Sequence, residues 1–180
     1  MVEGMTTSTA ALTQGTWALD TAHSSATFAV RHLGIATVRG RFNEIDAQLV
    51  VGPGPDEYSV TATIQLASID TGNAGRDDHV RGPGFLDVEK RPTLTYRSTS
   101  VSGDGRRWTV QGELTIGDTT VSVPLHVEHG GVENFMDGHR RGGFEATAEI
   151  RRSDFAVGPE GPMLSEKVKV NLDLEFIEPS

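Results

Sequence analysis

The residue types that could carry chemistry in this chain are six histidines, His23, His32, His79, His126, His129 and His139, and one dense block of charge between Ile69 and Pro92. A zinc-type site needs converging ligands. The histidines form neither HxH nor HExxH, and the spacing of His126 and His129 puts them on opposite faces of a strand, so no dedicated metal site is expected. Asp20, His23 and Ser24 have the types of a nucleophilic triad, but Ser24 opens a strand and lacks the strained elbow that presents a nucleophile. The favoured reading is a turn in which Asp20 accepts backbone hydrogen bonds and His23 packs or donates beside it.

The block from Ile69 to Pro92 gathers Arg76, Asp77, Asp78, His79 and Arg81 within six positions. Guanidinium, imidazole and carboxylate side by side can grip a polar head group or serve acid–base chemistry. The block reads as a short helix. Thr71 or Asn73 can cap its start, Gly82 and Pro83 stop it, and nothing between Ala74 and Arg81 forbids helix. Such a helix of about two turns does not persist alone. It must dock, through Val80 and the following Phe85, Leu86 and Val88. Asn73, Asp77 and Arg81 share one face by i, i+4 spacing. Two readings of the charges stay open here: an ion-paired, solvated face, or a role at a pocket mouth.

What must hold these groups is a β framework. Ala26, Phe28, Val30 and His32 alternate with Thr27, Ala29, Arg31 and Leu33, the period-2 pattern of a strand with one buried face. Val38, Gly40 and Phe42 set up a second strand. Ile45, Ala47, Leu49 and Val51 continue on shifted parity, so a bulge or bend is expected between Phe42 and Ile45. Val60, Ala62, Ile64 and Leu66 follow the Gly-Pro-Gly-Pro turn at 52–55. After the polar block come Leu94 and Tyr96, then Trp108, Val110, Gly112, Leu114 and Ile116, with Gly-Asp-Gly at 103–105 and Gly117-Asp118 as hairpin turns. Val121, Val123, Leu125 and Val127 precede an expected loop from about Gly130 to Gly142. Phe144, Ala146, Ala148 and Ile150 form a further strand, and Val168 to Phe176 alternate cleanly in the last.

About eight strands joined mainly by short turns argue for an all-β antiparallel meander closed into a barrel, which leaves no exposed edge. A barrel of that size is either filled by side chains or holds one small ligand. Ala26, Gly40, Ala62, Gly112, Ala146 and Ala148 on the inward parity favour a cavity, with close strand crossing as the alternative. His32 shares the inward parity, either as a satisfied core group or as a polar group that orients a ligand.

The 180 residues suit one domain, expected over 16–178, after a loose leader at 1–15; Trp17 marks where order begins. With no cysteine, disulfides, thiolate metal sites and a cysteine nucleophile are excluded. A net charge of -9 speaks against nucleic-acid binding. The leader has neither a positive n-region nor a long apolar run, and no segment approaches a membrane span. A soluble cytoplasmic protein without stable membrane insertion is the expectation.

Several of these residues, in order, form a known pattern. Trp17-Ala-Leu-Asp20, His23-Ser24, Phe28-Ala-Val-Arg-His32-Leu-Gly34 and Val38-Arg-Gly40-Arg-Phe42 resemble the opening strands of the YceI-like family of lipocalin-like, polyisoprenoid-binding proteins. Ile69-Asp-Thr-Gly72, Arg76-Asp77, His79-Val-Arg81, Phe85, Asp87-Val88 and Pro92 follow its central helix motif, and Gly112-Glu-Leu-Thr-Ile116 with Pro124 its later hairpin. The chain departs from the family pattern at Val80, where leucine is usual, and at Arg151-Arg152-Ser-Asp-Phe155-Ala156, where Asn-Arg-x-x-Phe-Gly is usual.

The resemblance implies a lipocalin-like extended eight-stranded antiparallel β-barrel with a short helical insertion. It also implies an elongated apolar tunnel for a polyisoprenoid or other long-chain amphiphile, commonly in a homodimer, with no cofactor and no catalysis. On that basis the tunnel lining is expected from Phe28, Val30, Phe42, Ile64, Leu66, Phe85, Leu94, Tyr96, Leu114, Ile116 and Phe144. Arg76, His79, Arg81 and His32 are the expected head-group donors, with the helix as a lid segment at the barrel mouth. The rivals are an enzyme using His32, Asp77 and His79 as acid–base groups, and a solid barrel acting as a stress-related interaction module.

Overall fold

The computed structural model describes residues 12–180. Its strands are β1 (Gly15–Leu19), β2 (Ser25–His32), β3 (Ala36–Phe42), β4 (Ile45–Val51), β5 (Ser59–Gln65), β6 (Ile69–Asp70), β7 (Thr93–Asp104), β8 (Arg107–Ile116), β9 (Thr119–Ser122), β10 (Leu125–Asn134), β11 (Arg140–Arg151) and β12 (Lys167–Ile177). One helix, α1 (Ala74–Arg81), stands between β6 and β7.

The twelve strands form eight staves, because β1/β2, β3/β4, β5/β6 and β9/β10 are halves of single bent strands. β12 pairs with β2 through Lys169–Asp173 and with β1 through Phe176 and Ile177. β2 pairs with β3 while β1 pairs with β4. β12 also pairs with β11 along its length, so the antiparallel barrel closes on itself. The bend expected between Phe42 and Ile45 is present: Asn43 and Glu44 carry the chain from β3 to β4, and Asn43 N–H donates to the Ser68 carbonyl.

The helix starts and stops where its caps dictate. Asn73 accepts from Arg76 N–H at 2.9 Å, and the Gly82 N–H returns to the His79 carbonyl. It docks as expected, with Val80, Leu86 and Val88 packed on a core cluster of Leu66, Ile69, Tyr96, Leu114, Ile116, Val123 and Phe155. A second cluster, Trp17, Leu19, Ala47, Val51 and Phe176, fills one side of the opposite end.

Two expectations are corrected. The Gly130–Gly142 segment is mostly strand: β10 runs to Asn134 and β11 begins at Arg140, with a register shift between His129 and Gly131. Glycine lowers strand propensity, but pairing of Gly131–Asn134 with Arg140–Gly143, and of Arg141–Gly143 with β12, outweighs that here, and the bulge absorbs the irregularity. The last residues of the expected loose leader, 1–15, are ordered, and Gly15 already belongs to β1. Residues 1–11 lie outside the described residues, whereas Thr13 accepts from Trp17 Nε1 at 2.9 Å through its carbonyl and bonds Glu178 through its hydroxyl.

Candidate functional site

The charged block is occupied by its own surroundings. The Asp77 carboxylate, buried, accepts from the Thr71 backbone N–H at 3.0 Å and from its hydroxyl, tying the helix to the turn that precedes it. Arg76 donates from Nε to Thr71 Oγ1 and from Nη2 to Thr71 O, both at 2.8 Å. Arg81 donates to the carbonyls of Ala67 (2.8 Å) and Ile69 (3.0 Å) and pairs with Asp78. His79 is exposed and meets Phe85 edge-on at 4.9 Å between ring centroids. These groups brace α1 against the strand end. A neighbouring arginine extends the pattern: Arg91 donates to the carbonyls of Phe85, Leu86 and Phe155.

The barrel interior near α1 is filled. Leu66, Ile64, Tyr96, Leu114 and Ile116 are buried core residues, with Phe28, Phe42 and Leu94 packed against them. Two of the small residues expected to leave space are covered by aromatic rings. A Cβ on Gly40 would stand 2.4 Å from Phe28 Cζ, and one on Gly112 would stand 2.4 Å from Tyr96 Cζ. The glycines let the rings lie flat on the strand, so they make room for side chains of the barrel itself.

The observed cavity lies at the other end. It has a volume of about 400 Å³ and is walled by Leu49, Val60, Val101, Val110, Leu125, Val127, Phe144, Ala146, Leu174 and Phe176. Leu12, Tyr58, Asp104, Gly105, Trp108 and His129 complete the lining. Exposed Asp104 and Gly105 belong to the β7–β8 turn, so the cavity opens there, away from the helix. The rings of Tyr58 and Trp108 sit 6.0 Å apart at this rim, and Trp108 Nε1 donates to the Gly105 carbonyl. A depression of about 480 Å³ lined by Arg107, Thr109, His126, Glu128, Glu145 and Thr147 is an outer-face groove, since these side chains hold the outward parity of β8, β10 and β11.

Of the residues expected to contact ligand, Phe144 lines this cavity. Phe28, Val30, Phe42, Ile64, Leu66, Phe85, Leu94, Tyr96, Leu114 and Ile116 do not, nor do His32, Arg76, His79 and Arg81. α1 packs at the filled end, against Leu66, Ile69 and Tyr96, and not at the opening of this cavity. His32 is half-buried at the end of β2, bridged to Leu164. His129 is a cavity residue that the family pattern does not single out. The inward parity of Val123, Leu125 and Val127 continues directly to it, and it is 5% exposed. Its ring stacks on Phe144 with centroids 4.7 Å apart and planes inclined by 13°. Burial pushes its pKa below the usual imidazole value; a hydrogen bond to the Gly131 backbone opposes the shift and the charge of Arg106 reinforces it.

Asp20, His23 and Glu175 form the other convergent group, their ligand-type atoms lying within 4.8 Å of one another. Asp20 Oδ2 accepts from His23 Nδ1 at 2.9 Å and from Arg141 Nε at 3.0 Å, and Oδ1 accepts from Ala22 N–H. This is the expected Asx-type turn, extended into an ion-paired brace between β1, β2 and β11. Burial raises the Asp20 pKa, but the bonds from His23 and Arg141 outweigh it and hold the carboxyl below its usual range.

Fold and site together define a closed, lipocalin-like antiparallel barrel with an apolar cavity at one end. Residues 17–176 match the YceI-like domain, and the chain belongs to that family. A UPF0312 protein of Pseudomonas paraeruginosa is 34% identical over 156 residues, spanning 86% of this chain and 82% of the relative. A Campylobacter jejuni YceI protein of known structure shares 30% identity with a TM-score of 0.74, covering 83% of this chain and 90% of that one. Burkholderia cenocepacia BcnA superposes with a TM-score of 0.77 at 24% identity, covering 87% of this chain and 98% of that one. A polyisoprenoid-binding domain from Saccharophagus degradans shares the fold at 14% identity, with a TM-score of 0.69 over 91% of this chain and 98% of that one.

Proposed function

We propose that this protein binds and sequesters or carries a polyisoprenoid or similar amphiphile, without chemical turnover, with the apolar segment of the ligand in the end cavity. The observation that carries this reading is a 400 Å³ space walled by aliphatic and aromatic side chains and open at one rim. Small-ligand pockets span roughly 300–1,000 Å³, so this one suits a short prenyl or acyl segment. Each methylene moved from water into such a space contributes about 0.8 kcal/mol, enough for firm binding without covalent chemistry. The related fold of a polyisoprenoid-binding domain supports the ligand class. The non-catalytic reading is supported by the placement of His32, Asp77 and His79, none of which lines the cavity. A homodimer is carried forward as part of the proposal, to be checked by light scattering.

Native mass spectrometry of protein purified under mild conditions, followed by organic extraction, tests the reading. A co-purifying prenyl or acyl lipid is the expected result. An empty barrel that also takes up no such lipid would overturn it.

A further inference from the structure

We propose that the β2–β3 hairpin tip, with the basic outer face beside it, docks reversibly on an anionic lipid surface. Three of the five large hydrophobic side chains exposed among the described residues stand on this tip or on the loop bonded to it: Leu33 (54% exposed), Ile35 (79%) and Met163 (54%). Leu33 N–H donates to the Met163 carbonyl at 2.8 Å, and Ile35 N–H to the His32 carbonyl, so hairpin and loop form one knob. Leu33 holds φ +55°, a left-handed setting that favours glycine or asparagine, so the exposed leucine stands where backbone geometry disfavours it. Apolar side chains clustered in water in this way mark a contact site. Gly158 N–H donates to the Gly84 carbonyl, which ties the same loop to the α1 end, away from the cavity rim. The inference therefore stands apart from the ligand proposed for the cavity.

Charge selects the partner. On the outward parity of β3, β2, β12 and β11, Arg39 and Lys169 flank Ala29 in register, Arg151 lies opposite Lys167, and Arg31 stands two residues nearer the tip. All five are exposed. Arg31 donates to the Gly34 carbonyl at 2.9 Å and to Thr37 Oγ1 at 3.1 Å, which closes the hairpin without neutralising its charge. Of the five, only Lys167 has an ion pair among the described residues, a loose one with Glu149 at 3.8 Å. The sign changes along the same face: Asp173 and Glu145, paired in register, lie toward the opposite end. Opposing charge near the knob comes from Asp154 and Glu160, exposed on the adjoining turns, and from half-buried Glu166, which accepts from Ser153 N–H. The chain as a whole carries -9, so an anionic surface attracts this face while the acidic remainder turns away. A second copy of the chain fits less well, because a two-fold contact through the knob would set these cations against their own copies. Anionic lipid supplies both an apolar layer for the knob and phosphates for the cations.

Flotation of the full chain with vesicles of phosphatidylcholine, alone or with about one-third phosphatidylglycerol, tests the docking role. Binding to the anionic vesicles should be about tenfold tighter than to the neutral ones and should be lost at about 0.5 M salt. Combining Arg39→Glu with Lys169→Glu should weaken it by more than about tenfold, since each cation beside such a surface contributes roughly fivefold. Ile35→Ser, with every charge intact, should weaken it by about tenfold. Equal binding to both vesicle types, no binding to either, or anionic binding that both variants retain would overturn the inference. So would a dimer that dissociates in Ile35→Ser, which would give the knob to a second copy. Lipid drawn into the cavity does not account for a loss on charge reversal, because neither Arg39 nor Lys169 lines it. The comparison of vesicles in the unaltered protein stands even if a variant does not fold.

Discussion

The Tyr96 ring lies on Gly112, and its hydroxyl donates to the Val123 carbonyl at 2.7 Å, directly behind the cavity wall at Val110. For the proposed ligand, this contact should limit the depth reached. Tyr96→Ala should lower stability by about 3–5 kcal/mol in denaturant melts while raising the relative affinity for longer prenols. A chain-length series unchanged by the variant would show that depth is set elsewhere. Gly112→Ala should cost about 1–3 kcal/mol through overpacking.

Burial pushes the Tyr96 pKa up to about 12 from 10.0. Its contribution to stability is full below pH 10.0, where the tyrosine is neutral folded or unfolded, and is lost as pH rises toward about 12. Tyr96→Phe should flatten the alkaline limb of a stability profile above pH 10.0, measured by urea melts.

Asp77 and Arg76 hold the Thr71 turn, so their loss should register in stability and not in binding. Asp77→Ala leaves the Thr71 N–H and hydroxyl without their partner and should cost about 2 kcal/mol. Arg76→Ala and His79→Ala should leave farnesol affinity within about twofold, the scatter expected where no contact is removed. A large affinity loss in Arg76→Ala or His79→Ala would restore the head-group role expected from sequence.

Ala156 has φ +52°, in the left-handed region, where the chain leaves Arg152–Phe155. Arg152, buried, pins the following loop by donating to the carbonyls of Val157, Pro159, Leu164 and Ser165. The backbone conformation is therefore imposed from outside, and alanine bears a steric cost there. Ala156→Gly should raise stability by about 1 kcal/mol, visible as a higher Tm.

Two histidines should shape stability near neutrality in opposite directions. The bond to Asp20 raises the His23 pKa above 6.5, so its contribution is full below pH 6.5 and is lost as pH rises through the raised value. His129 is depressed below 6.5: the unfolded chain takes up its proton first, and stability falls as pH drops from 6.5 toward the lowered value. From these two groups Tm should peak close to pH 6.5. His23→Gln should flatten the alkaline side and His129→Phe the acid side, as differential scanning across pH would show.

The amino-acid sequence by itself determined the staves, the bend after Phe42 and the limits of α1, because period-2 alternation and capping residues act over a few neighbours. It also placed the family, through motifs that are chiefly structural: Asp77 and Arg76 are recognisable because the turn at Thr71 needs them. Inward parity was correct for Leu114, which is buried, but parity says only which face a residue takes. Which end of the barrel is filled was decided by tertiary structure. Interior space is the small difference between the barrel's volume and the side chains inside it, and that difference turns on contacts between strands. Phe28 over Gly40 and Tyr96 over Gly112 closed the helix end, and the cavity was left where Val110, Val127 and His129 meet Leu174 and Phe176.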